Sequence, residues 1–123
     1  MWRMPNSNSI PPDSHADAVE RALTAAAQPA AAHVFTALFA DEARAAAHAA
    51  DTRRARGEPP LSPLDGVSVS VTDLYDISGR TTLAGSVLRR DAPPARSNAS
   101  AVARLRSAGA AIVGLTNMSE FAF

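Results

Sequence analysis

The chain has 123 residues, with twelve basic side chains balanced by twelve acidic ones and no cysteine. That length allows one small domain or part of a larger one, and the even charge argues against a global field for nucleic acid or an anionic membrane. Lack of cysteine removes disulfides, zinc–thiolate sites and a cysteine nucleophile, and suits a reducing compartment.

Residues 1–13 are rich in Pro, Asn and Ser and read as a flexible leader. They lack the apolar core of a signal peptide, and no later stretch approaches the roughly 20 apolar residues of a membrane span. The expected setting is the cytoplasm, with no membrane partner. Asp13 or Ser14 can cap a helix running to about Ala27, with Val19, Ala22, Leu23 and Ala26 on one face. Gln28-Pro29 ends it, because proline brings no amide hydrogen.

His33 to Leu38 is short, apolar and partly β-branched, open to a strand or the start of the next helix, and reads better as a strand. Asp41 and Glu42 then open a helix at the positive end of its dipole, while Arg53, Arg54 and Arg56 close it as a solvated cap. Gly57 is placed as its left-handed C-terminal residue, with Pro59-Pro60 beyond. In Val67 to Thr72, valines alternate with hydroxyl residues, the period of a strand. Turn chemistry follows from Asp73 to Ala84, notably at Ser78-Gly79 and Ala84-Gly85-Ser86, and Asp73 and Asp76 read as local backbone acceptors. Asn98 is the expected cap of a helix that carries Val102 and Leu105 inward and stops at Gly109. Ala110 to Leu115 is a second buried strand, and Asn117 or Ser119 can start another helix. Strand, helix, strand in that order predicts a βαβ unit in a mixed α/β fold. His15, His33 and His48 lack ligand spacing, so no metal site and no cofactor are expected.

Three segments, taken together, resemble the amidase-signature family of amide hydrolases. The first is Leu64 to Asp76, similar to the family's Leu-x-Gly-Val-Pro-x-x-Val-Lys-Asp stretch. The second is Gly79 to Ser86, similar to Gly-x-x-Thr-x-x-Gly-Ser. The third runs from Val102-Ala103-Arg104-Leu105-Arg106 through Gly109 to Gly114 and on to Thr116-Asn117-Met118-Ser119-Glu120-Phe121. The resemblance covers roughly residues 30–123. It implies the N-terminal part of the amidase-signature fold, a mixed central sheet flanked by helices, over residues 14–123.

The family cleaves carboxamide bonds with a lysine and two serines: the lysine takes a proton through one serine while the other attacks the amide carbon, giving an acyl-enzyme. The lysine's position is Thr72 here, and all twelve basic residues are arginine. A hydroxyl cannot serve as a base near neutrality, whereas a buried lysine can be tuned to do so. The family's Gly-Ser-rich serine segment has no counterpart among these residues, so the chain reads as truncated before it. Three further positions depart from the pattern: Ser68 stands for a proline, Asn98 for an aspartate and Leu115 for a basic residue. The candidate site is Thr72 as the substituted catalytic position, with Thr116, Asn117 and Met118 as the family's substrate-lining segment. The implied partners are a small-molecule amide and a complementary chain bearing the serines. The alternative is a non-catalytic pseudoenzyme or partner-binding protein derived from the family.

Overall fold

In a computed structural model, which describes residues 14–123, the central element is the most apolar segment of the chain. Strand β3, Ala111–Thr116, has five buried residues in succession, the pattern of a strand covered on both faces. Strand β1, Phe35–Leu38, pairs with it antiparallel, and strand β2, Ser68–Thr72, pairs with it parallel on the other side. The α/β class holds, and the β2–helix–β3 crossover is the expected parallel unit. The 1–13 leader lies outside the described residues.

Among the described residues three α-helices cover the sheet: α1, His15–Ala26; α2, Ala40–Ala55; and α3, Ser100–Ser107. Ser14 caps α1 by accepting the Asp17 amide at 3.0 Å. Asp51 near the end of α2 adds a second cap, accepting the His15 and Ala16 amides at 3.0 and 2.9 Å. Burial raises the Asp51 carboxyl, but these two amides, with His15 and Arg54, outweigh it and hold it below the usual carboxylate range. Helix α2 buries Ala43, Ala47 and Ala50, small side chains that let it lie close to its neighbours. None of the helices among the described residues is long and apolar enough to cross a membrane.

Two interruptions of register shape the sheet. Between Val69–Ile112 and Ser70–Gly114 one extra residue, Val113, enters β3. Ala111 and Val113 alternate onto one face, with Val19, Leu23, Ala43 and Ala47 under α1 and α2, and the extra residue brings Leu115 onto the face of Ile112, with Val71, Ile77 and Val102 beside α3. The second bulge puts Thr36 out of step in β1, between Phe35 and Ala37. Bulges re-aim side chains at sheet edges, and this one turns the Thr36 hydroxyl onto Asp73.

Two expected caps are corrected. Helix α3 starts after Ala99 with no side-chain cap; the Asn98 side-chain carbonyl instead accepts the Ser78 amide at 2.9 Å, closing the Ser78-Gly79 turn. Past β3 the chain makes one 3-10 turn, Glu120–Ala122, rather than a new α-helix, and Phe121 within it adopts φ 50.

Candidate functional site

Thr72 ends β2 directly opposite Thr116 at the end of β3, so the structure brings these two sequence candidates together. The Thr72 carbonyl accepts the Leu74 and Tyr75 amides at 2.7 and 3.3 Å, turning the chain away from the sheet. Its side chain makes no hydrogen bond with a described residue. With Ser70, Tyr75, Ala101, Val102 and Leu105 it lines an open cavity of about 260 Å³ between β2 and α3.

Asn117 and Met118 lie elsewhere. The Asn117 amide hydrogen goes to the Val34 carbonyl at 2.7 Å, its side-chain oxygen accepts the Met118 amide at 2.9 Å, and its side-chain nitrogen reaches the His33 carbonyl at 3.4 Å. Met118 presents its own carbonyl to Gly85, so closely that a Cβ at position 85 would overlap it. Asn117 lines a second cavity, of about 230 Å³, with Thr36, Gly85, Ser86 and Arg90. Thr72 is absent from that lining.

Between the two cavities sits a residue whose role is larger than its sequence context suggests. Asp73 is 1% exposed. Its carboxylate accepts the Thr36 hydroxyl at 2.8 Å and the Leu83 amide at 3.2 Å; its own amide donates to the Thr116 carbonyl at 2.9 Å, and its carbonyl accepts the Ala84 amide at 2.8 Å. One residue thus joins the ends of β2 and β3, the β1 bulge and the Leu83–Ser86 loop. Asp73 is therefore no purely local acceptor: Thr36 arrives from a different strand. A single acid at the end of an apolar strand was the signal available in the sequence. Asp76 is held more locally, accepting the Thr82 hydroxyl at 2.5 Å.

At the opposite end of the same strands, Arg53 is not the solvated cap expected from its place in α2. It forks onto Asp65 at 2.9 and 2.6 Å, and Asp65 also accepts the Leu61 amide at 3.2 Å. The Arg53 hydrogen bonds hold the Asp65 carboxyl below its usual range against the opposing effect of burial. Asp65 in turn raises the Arg53 guanidinium above its ordinary value. Arg53 is thereby committed to the fold, whereas Arg54 and Arg56 stay half-exposed or more, with only loose contacts to Asp51 and Glu58.

Comparison with known proteins identifies the family. The amidase family profile covers residues 17–123. The chain is 49% identical over 108 residues to AtzE, the 1-carboxybiuret hydrolase subunit of Pseudomonas sp. strain ADP, a match covering 87% of this chain and 23% of the relative. It is 55% identical over 89 residues to a glutamyl-tRNA(Gln) amidotransferase subunit of Anaeromyxobacter dehalogenans, covering 72% of this chain and 18% of that protein. Among solved structures, one of a vestigial protein complex bearing on the origins of an s-triazine catabolic enzyme superposes with a TM-score of 0.77 at 48% identity, over 88% of this chain and 24% of that one. The native peptide amidase of Stenotrophomonas maltophilia gives a TM-score of 0.72 at 27% identity, over 88% and 22%. The chain thus spans about a quarter or less of the length of these relatives. Profile, sequence and fold agree over the same residues: the chain belongs to the amidase-signature family.

Proposed function

We propose that these residues form the N-terminal part of a carboxamide hydrolase that works through an acyl-enzyme, and that in this chain the Ser-Ser-Lys mechanism lacks its base. The observation that carries the second half is Thr72. It stands at the strand end where the family places its lysine, and no lysine occurs at any other of the 123 positions. Asp73 offers no substitute, because its carboxylate is held by Thr36 and Leu83 and buried from solvent. Thr116, Asn117 and Met118 are proposed to line the substrate site, and a complementary chain to supply the nucleophilic serine. Cytoplasmic residence belongs to the same reading.

The same observation favours a second reading, a pseudoenzyme that keeps the fold and binds without turnover. Ammonia release from small carboxamides separates the two, measured for this chain mixed with a chain that carries the serine segment. Thr72→Lys is expected to raise turnover by about 10⁴-fold or more, the scale on which loss of one member of a catalytic triad acts. A mixture that stays inert with lysine at 72 overturns the assignment of that position. Activity already present with threonine would show that another base serves.

A further inference from the structure

The cavity beside Asn117 has a chemical character that the amidase reading does not supply. It opens where the parallel strands β2 and β3 end, the side of an α/β sheet on which ligands bind. Its hydroxyls are already spent: Thr36 donates to Asp73 at 2.8 Å, and Ser86 donates to Glu120 at 2.5 Å while accepting the Leu88 amide at 3.2 Å. Neither carboxylate is part of the lining.

What remains free is a set of donors. The Asn117 side-chain nitrogen has two N–H groups and a single long bond, of 3.4 Å, to His33. Gly85 lines the cavity with an amide that has no partner among the described residues. Arg90 lines it too, and its guanidinium pairs with no acid among the described residues. Other arginines are engaged: Arg53 with Asp65, Arg44 with Glu20, Arg106 with Glu42, Arg89 with the Thr82 carbonyl, and Arg80 over the Phe39 ring at 5.1 Å. Arg90 thus differs from these in being both unpaired and placed on a cavity.

Donors without acceptors call for a ligand that brings acceptors. A guanidinium presents a planar fork that matches a carboxylate bidentately, and a charged pair of this kind is stronger than a neutral hydrogen bond. We propose that this cavity is a subsite for a small carboxylate, anchored by Arg90 and oriented by the Asn117 side chain and the Gly85 amide. About 230 Å³ admits a molecule of a few heavy atoms. The subsite deepens the substrate-binding role proposed for Asn117 by naming the chemistry bound. Its test reads binding alone, so its failure is distinguishable from absence of turnover.

The experiment is a titration of the 123-residue chain with oxamate, followed by amide chemical shifts in NMR, beside a parallel titration with the neutral diamide oxamide. Saturable shifts centred on Gly85, Ser86 and Asn117 are expected with oxamate, and binding of oxamide about tenfold weaker or less. Arg90→Gln is expected to bring oxamate down to the level of oxamide, and Arg90→Lys to restore part of the difference. Arg90 is exposed, so circular dichroism should report an unchanged fold for both variants. Equal shifts from both probes, shifts untouched by Arg90→Gln, or shifts centred on Arg96 and Arg104 would each overturn the subsite. So would the absence of any shift at millimolar concentrations.

Discussion

The two ends of the parallel pair β2–β3 each bury a carboxylate, and they treat it in opposite ways. At the amino end Asp65 is 6% exposed and gripped by the Arg53 fork. At the carboxyl end Asp73, 1% exposed, is met by a hydroxyl and an amide, with no arginine paired to it among the described residues. The amino end is tied by backbone contact as well, since the Gly66 amide donates to the Gly109 carbonyl at 2.9 Å. Both ends border open cavities: Thr72 and Asn117 line those at the carboxyl end, and Arg53 lines one of about 250 Å³ with Asp65 at the amino end. The difference lies in the donors: the amino end spends its arginine on Asp65, and the carboxyl end leaves donors free for a ligand. That division is general in parallel sheets, where loops beyond the carboxyl ends of strands hold function and the opposite loops hold the fold.

The largest predicted effect breaks the amino end. Gly109 sits at φ 85, and a Cβ there would overlap the Asp65 carboxylate. Gly109→Ala therefore imposes left-handed backbone strain and displaces Asp65 from Arg53 in a single step. We expect a loss of about 3 kcal/mol, read as a fall in the urea midpoint by far-UV circular dichroism. A change within experimental error would show that this junction is pliable.

A matched pair of substitutions sharpens the contrast. Asp65→Asn and Asp73→Asn make the same change at the two ends. Asp65→Asn removes the charge from a bidentate pair and turns one amide group against the Arg53 donors, so about 2 kcal/mol should be lost. At Asp73→Asn no cation loses its partner, and relief of charge burial offsets weaker hydrogen bonds, leaving a loss of about 1 kcal/mol. The reverse order would refute the division between the ends. Acid adds a second readout. Because the folded Asp65 carboxyl is depressed from its ordinary value of 3.8, the unfolded chain binds more protons in the window below that value. Stability from this group is therefore complete above the unfolded pKa and is lost as pH falls through the lower folded one. Urea midpoints of the parent chain should drop across that window, and the Asp65→Asn variant should show a shallower fall.

Much of this architecture can be read directly from residue patterns, while the junctions cannot. Gly57 after α2 and Gly109 after α3 both occupy the left-handed region expected of helix-ending glycines. Val102 and Leu105 face the core as their spacing predicts, and the weak apolar run after His33 does form β1. These features are local, set by periodicity and chain stiffness within a few residues. Arg53 with Asp65 and Asp73 with Thr36 are pairings across 12 and 37 residues. Charge and position along a helix suggest a solvated end for Arg53: Pro59-Pro60 and Asp65-Gly66 announce a turn, but not that it brings Asp65 back onto Arg53. The bulges are equally hidden: Thr36 and Val113 are ordinary strand residues, displaced only by the neighbours they meet. At the site, residue patterns locate the ends of β2 and β3 but do not show that Thr72 and Asn117 line separate cavities.

The smallest effect tests whether the contrast extends to uncharged groups. Ser68 opens β2 opposite Ala111, and its hydroxyl is buried without a hydrogen-bond partner among the described residues. Both buried carboxylates have their oxygens engaged, so this orphaned hydroxyl is the exception, and it lies where the resemblance places a proline. Burying such a group without a partner opposes folding, and replacing it with a methyl removes that opposition without opening a large void. Ser68→Ala should therefore stabilise the chain by about 0.5–1 kcal/mol, seen as a higher urea midpoint with an unchanged slope. Combined with Asp73→Asn the gain should add independently, because the two side chains share no partner. A lower midpoint would mean that the hydroxyl is satisfied in solution. The amino end would then hold its polar groups as completely at Ser68 as it does at Asp65.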